Sequence, residues 1–126
     1  MGKTVLIGID KMDPVITEQM IGAGQLPNFE RLADRGHYNR LATIHPPQSP
    51  VVWSTIATGV MPSGHGVFDF IHRDPATYRP YLSMHRLERG RYVNPVQAET
   101  FWKRLAQQGV RSTILKWPMG FFPRFM

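Results

Sequence analysis

The chain opens on a continuous apolar run, Thr4-Val5-Leu6-Ile7-Gly8-Ile9, which stops at Asp10. A β-branched run without polar alternation is the pattern of a parallel strand covered on both faces. Asp10 then falls at the carboxyl end of that strand, where open α/β sheets gather their ligands. Residues 14 to 36 predict a helix in two pieces, broken at Gly22-Ala23-Gly24, with Asp13 as cap of the first. The second piece has Pro27 in its first turn, sets Phe29, Leu32 and Ala33 on one face and stops at Gly36. Alternation of Leu41 and Thr43 against Ala42 and Ile44 predicts a strand over residues 37 to 44.

His45-Pro46-Pro47-Gln48 reads as a rigid loop leading into Ser49-Pro50, a capping Ser followed by Pro at the first helical position. The helix this starts should run through Val51, Val52, Trp53, Ile56 and Ala57 to Gly59. Residues 60 to 93 carry Gly, Pro, His and Arg with little periodicity and read as a long irregular excursion. Asn94-Pro95 predicts another helix start, with Gln97 as the reciprocal capping-box residue. Ala98, Phe101, Trp102 and Leu105 then share a face, and Gly109 closes the helix. Val110 to Trp117 predicts the last strand, while Trp53 and Trp102 are expected in the core.

Strands alternating with helices indicate an α/β fold, a parallel sheet flanked by helices. Two or three strands are few for such a sheet, so residues 1–126 read as the N-terminal half of a larger, apparently incomplete domain. The strand at Val110–Trp117 would then present an open edge, and Phe121, Phe122 and Phe125 an apolar patch. Association through that unfinished edge is the expected partner behaviour.

Composition narrows the chemistry. Of 126 residues, 42% are apolar and 19% charged, a globular balance. The absence of Cys excludes disulfides, thiolate nucleophiles and Cys-based zinc sites. No apolar run approaches the roughly 20 residues of a membrane span, and the N-terminus lacks the pattern of a secretory signal. A cytoplasmic protein is expected. The net charge is +6, from 15 Lys+Arg against 9 Asp+Glu. Arg73, Arg79, Arg86, Arg89 and Arg91 concentrate that excess, opposed there only by Asp74 and Glu88. Such a segment suits a phosphorylated small molecule, an anionic surface or nucleic acid, and equally a solvated loop.

Ser49 is the side chain of greatest chemical interest. A hydroxyl at a helix N-terminus sits beside unpaired backbone N–H groups and the positive end of the helix dipole, although Ser is also simply a favoured cap. Asp10 suits a hard cation or a cap. His65 lies in the Gly-flanked Pro62-Ser63-Gly64-His65-Gly66 and reads as a turn histidine bonded to backbone. His37, His45, His72 and His85 show no paired metal spacing. Phosphate-loop and RNA-recognition motifs are missing, so nucleic acid ranks last among partners.

Three segments together resemble a known family: Val5-Leu6-Ile7-Gly8-Ile9-Asp10, Gly24-Gln25-Leu26-Pro27-Asn28-Phe29 and Pro46 through Thr55. A fourth, Thr58-Gly59-Val60-Met61-Pro62-Ser63-Gly64-His65-Gly66-Val67-Phe68-Asp69-Phe70, continues them in order. The chain resembles the N-terminal part of the alkaline phosphatase superfamily, in its type I phosphodiesterase/nucleotide pyrophosphatase-like branch. The resemblance implies metal-dependent hydrolysis of a small-molecule phosphoester. Ser49 would be the nucleophile that becomes phosphorylated, and Asp10 and Ser49 would ligate two divalent metals, usually zinc. His65 and Gly66 would shape the site.

Departures from the family pattern also carry information. Lys11 stands where many relatives have Gly, a cation that would either weaken metal binding or help hold a substrate phosphate; it and Arg73 are candidate substrate-binding cations. Phe70 stands near the position of an Asn that holds a phosphoryl oxygen in nucleotide pyrophosphatases. The D-x-x-x-H and D-H ligand groups of relatives have no counterpart here, since no Asp follows residue 74. The chain alone is therefore expected to be weakly active or inactive. The alternative is a non-catalytic phosphate- or anion-binding module built on the Ser49 helix and the Arg73–Arg91 segment.

Overall fold

The computed structural model describes residues 2–83, 86–88 and 91–119. The chain divides into two compact units, Met1–Ala42 and Thr43–Met126.

In the first unit, α1 (Pro14–Gly22) and α2 (Pro27–Arg35) form where the sequence predicts them. The Asp13 carboxylate accepts the Ile16 N–H at 2.9 Å, and Pro14 occupies a position whose N–H would have no helical partner. Gly24, at φ 70°, supplies the left-handed residue that lets the chain reverse between the helices. Past α2, the Arg40 guanidinium grips the Glu18 carboxylate through Nε and Nη2, with Nε at 2.8 Å, and so ties the following segment back to α1. That contact holds the Glu18 carboxyl below its ordinary pKa.

The second unit is organised around α3 (Ser49–Thr58). Pro50, Val51, Trp53, Ser54, Ala57 and Thr58 are all buried, so this short helix is covered on most of its circumference. Gly59, at φ 70°, ends it in the left-handed conformation. A one-turn helix, α4 (Pro62–His65), follows. Two antiparallel hairpins come next: β1 (Ile71–Arg73) with β2 (Pro80–Leu82), and β3 (Arg86–Glu88) with β4 (Arg91–Val93). The first hairpin's loop is knotted by Asp74, whose carboxylate accepts the Ala76 and Thr77 N–H groups at 3.0 and 2.8 Å. The last helix, α5 (Phe101–Gln107), carries Phe101 and Trp102 against Trp117.

The strand expectations are overturned. Residues 4–9, 37–44 and 110–117 form no strand, and the described residues contain no parallel pair. Val5 and Ile7 are 79% and 78% exposed, Leu41 87% and Leu115 81%, so most of these apolar runs lies outside any core, with Trp117 at the end of the last the exception. A parallel strand is stable only with hydrogen-bonded neighbours and covered faces, and none of the three runs has either among the described residues. The strands that do form lie in residues 71–93, within the stretch read as irregular. Strands of three residues are too short to show an alternation, and each pairs with the next strand along the chain rather than with a distant partner.

Two helix starts also differ. Gln48, not Ser49, is the N-cap of α3: its carbonyl accepts the Val51 and Val52 N–H groups at 3.0 and 2.9 Å, leaving Ser49 as the first helical residue. The last helix begins at Phe101 rather than after Asn94. Asn94 instead caps a local turn by accepting the Val96 N–H at 3.0 Å, and the Gln97 N–H is taken by the His65 carbonyl at 2.9 Å. A backbone donor so engaged cannot also serve a helical turn. The predicted patch of Phe121, Phe122 and Phe125 lies outside the described residues, as do His85 and Arg89. No helix among the described residues is long and apolar enough to cross a membrane.

Trp117 is the hub of the second unit's aromatic packing. Its ring meets Trp53 at 5.1 Å, Trp102 at 5.3 Å and Phe101 at 5.8 Å, all edge to face. Each such pair adds roughly 0.5–1.5 kcal/mol beyond area burial. Trp117→Ala should therefore destabilise this unit by about 3 kcal/mol, read as a lowered urea midpoint by tryptophan fluorescence. A change under about 0.5 kcal/mol would remove Trp117 from the core.

Candidate functional site

Ser49 occupies the first turn of α3 and is half-buried. The donor supply around it is smaller than a bare helix N-terminus offers. Pro50 has no N–H, and the Val51 and Val52 N–H groups are already directed at the Gln48 carbonyl. Gln48 also reaches sideways, its Oε1 accepting the Phe70 N–H at 3.3 Å. The residue preceding Ser49 is thus tied to the segment that follows the His65-Gly66 turn.

His65 is fully buried, and both ring nitrogens have work within the fold. Nδ1 accepts the Val67 N–H at 3.1 Å, which requires that nitrogen to be unprotonated. In the neutral ring Nε2 then carries the hydrogen and donates to Thr55 Oγ1 at 2.9 Å. Burial pushes the imidazole pKa below its ordinary value, which keeps the ring neutral. The geometry excludes His65 as a base toward Thr55, because the nitrogen facing the hydroxyl is the one that bears the proton. Along the helix, Thr55 is six residues from Ser49, about 9 Å along the axis, so His65 stands against a different part of α3. The sequence expectation of a turn histidine bonded to backbone holds.

Gly66 follows at φ 77°, and a Cβ placed there would meet the Gln97 side chain at 2.9 Å. The left-handed backbone and the close approach of Gln97 each call for glycine. Farther along, the His72 Nε2 accepts the Phe68 and Asp69 N–H groups at 3.1 and 3.3 Å. Its ring packs edge-on against its cross-strand partner Tyr81 at 5.7 Å. The segment between Gly66 and β1 is therefore pinned by His72 from one side and Gln48 from the other.

The remaining predicted residues fall elsewhere. Asp10 and Lys11 form an exposed turn in the first unit, with Lys11 at φ 58°. Arg73 is exposed on β1 and donates to the Tyr78 carbonyl at 3.3 Å, within its own hairpin. Thr55, Gln48 and Gln97 hold the turn and the loop in place, yet nothing in their local sequence signals it. Gln97 in particular carries the spacing of a helix-capping residue, a role for which its packing on Gly66 substitutes.

No group of three or more His, Asp or Glu that could hold a metal ion occurs among the described residues. The nitrogens of His65 are engaged internally, and His72 Nε2 faces two backbone donors. These residues do not fit a two-metal centre.

Comparison with known proteins identifies the family. Residues 4–124 match the family model described as type I phosphodiesterase / nucleotide pyrophosphatase. The chain belongs to this family, consistent with the N-terminal part of an alkaline phosphatase superfamily domain. Its members are typically metal-dependent phosphoester hydrolases. No curated protein and no solved structure matches the chain.

Two outcomes follow from the turn. The unfolded imidazole takes up a proton near its ordinary pKa of 6.5, whereas buried His65 resists protonation to lower pH. Stability contributed at neutral pH is therefore lost as pH falls below 6.5. Urea unfolding between pH 7.5 and 5 should show this slope in the wild-type chain, with a shallower one in His65→Gln. For Gly66→Ala, the left-handed backbone alone costs roughly 1–2 kcal/mol, and the Gln97 clash adds to it. In a Gln97→Ala background the clash is relieved and the backbone cost remains. Equal destabilisation in both backgrounds would show that Gln97 does not press on Gly66.

Proposed function

We propose that this chain acts in phosphoester hydrolysis, with the Ser49 hydroxyl as the attacking nucleophile. The observation that carries this reading is the family match over residues 4–124, which spans both the Ser49 segment and the run from Thr58 to Phe70. The position of Ser49 on the first turn of a buried helix supports it, because the rest of α3 and the pinned 66–70 segment fix the backbone that bears the hydroxyl.

The reaction is a displacement at phosphorus. The seryl hydroxyl gives up its proton as its oxygen bonds to phosphorus, the ester oxygen leaves with the electron pair of the broken P–O bond and takes up a proton, and water then cleaves the seryl phosphate, restoring the hydroxyl and releasing the phosphate product. Lys11 and Arg73 are the cations assigned to the phosphoester's charge, with the partner a small-molecule ester. The two zinc ions implied by the resemblance would draw on Asp10 and Ser49. Two such ligands are too few to hold two ions. The same reading assigns residues 1–126 to the N-terminal half of an alkaline-phosphatase-like domain. A metal-free anion-binding module is less well supported, since Pro50 and the Gln48 carbonyl remove three of the N-terminal donors such a module would use.

The test is incubation with bis(4-nitrophenyl) phosphate and zinc, following 4-nitrophenolate release and mapping the acid-quenched chain by mass spectrometry. A phosphoryl adduct on Ser49 is expected, and Ser49→Ala should lose both the adduct and turnover, by roughly 10³-fold or more. Turnover that survives in Ser49→Ala, or an adduct on another side chain, would overturn the assignment.

A further inference from the structure

A cleft of about 1080 Å³ opens between α3, α5 and the segment that returns over residues 109–119. It is separate from the Ser49 site. The α3 residues lining it are Ser54 and Ala57, and Ser54 lies five residues from Ser49, about 7.5 Å along the axis and roughly 140° around it. The volume matches the upper end of small-molecule pockets, roughly 300–1000 Å³.

The lining divides by chemistry. The buried and half-buried lining includes the apolar or aromatic Ala57, Trp102, Ile114, Trp117 and Met119, and among them stand the polar Ser54, Glu99 and Thr100. Trp102 and Trp117 belong to the edge-to-face aromatic cluster, so a planar ring entering beside them meets indole surfaces already fixed by packing. The exposed lining includes three cations, Lys103, Arg111 and Lys116. Glu99, the acid of the lining, is already occupied: Oε1 takes Lys103 at 3.2 Å and Gln107 at 2.8 Å, and Oε2 faces Arg104 at 3.8 Å. Neither Arg111 nor Lys116 has a carboxylate within ion-pair distance among the described residues. Two polar groups on lining residues, the Trp117 indole N–H and the Ser54 hydroxyl, are buried without a hydrogen-bond partner among the described residues. The cleft is thus rich in donors and positive charge, and its one carboxylate is already engaged.

We infer that this cleft binds a small organic anion with a planar aromatic body. The ring packs among Trp102, Ile114 and Trp117, and the acid group is met by Arg111 and Lys116. An apolar neutral molecule would fill the walls but leave the cations without a counter-charge, while a small inorganic anion would leave the aromatic walls empty. The inference goes beyond phosphoester hydrolysis and does not depend on Ser49.

The test uses 8-anilinonaphthalene-1-sulfonate titrated into the full chain, read by dye emission and by quenching of tryptophan fluorescence. Near-UV circular dichroism is recorded throughout to follow the native packing. Saturable one-site binding is expected, with the near-UV signal of the chain retained. Arg111→Gln/Lys116→Gln removes both charge-assisted contacts and should bind more weakly by at least roughly tenfold for each, and the uncharged N-phenyl-1-naphthylamine should also bind more weakly than the sulfonate. Arg31→Gln/Arg35→Gln removes the same charge from α2 and should leave the affinity unchanged. The inference fails if the cleft double variant keeps wild-type affinity, if the neutral amine binds as tightly, or if the α2 variant weakens binding equally. It also fails if dye binding is accompanied by loss of the near-UV signal, since the dye would then be reporting loosened packing.

Discussion

Helix α3 is ten residues long and buries Pro50, Val51, Trp53, Ser54, Ala57 and Thr58. Each neighbouring element of the second unit is held to it by a different interaction. Trp53 meets Trp117, Thr55 receives the His65 N–H, and Gln48 accepts the Phe70 N–H from the segment beyond the turn. A helix this short is marginal alone, so its persistence rests on that coverage. Burial of α3 is therefore the constraint that places Ser49, the turn and the cleft in one framework.

The His65-Gly66 turn shows how a residue pair can look catalytic and yet serve position. The fully buried imidazole satisfies two neighbours, the Val67 N–H and the Thr55 hydroxyl, and its own carbonyl takes the Gln97 N–H. Protonation would cost the Nδ1 acceptor and put a charge in a dry site. Gly66 completes the arrangement, because only a residue without a side chain fits its left-handed backbone beside Gln97.

The helices and the turn chemistry were largely legible in the sequence. Asp13-Pro14, Pro27 to Gly36 and Pro50 to Gly59 carry their caps, prolines and glycines within a few residues, so local rules suffice. The site was legible only in part. Ser49, His65 and Gly66 stand out by type and spacing, and the family is confirmed over residues 4–124. Thr55, Gln48 and Gln97 were not visible, because their partners lie 10, 22 and 32 residues away and no local pattern encodes them.

What the sequence by itself determined is therefore what adjacent residues decide: where α1, α2 and α3 lie, where their glycine stops fall, and which family the motifs belong to. Strand formation was decided elsewhere. Residues 4–9 have every local preference for a strand, yet Val5 and Ile7 stay exposed, while the weakly patterned 71–82 segment pairs. A parallel strand's hydrogen bonds all go to other segments, whereas a hairpin finds its partner across its own turn. Tertiary structure alone also settled that His65 Nε2 meets Thr55 and where the aromatic cleft opens, since each depends on what a more distant segment brings into contact.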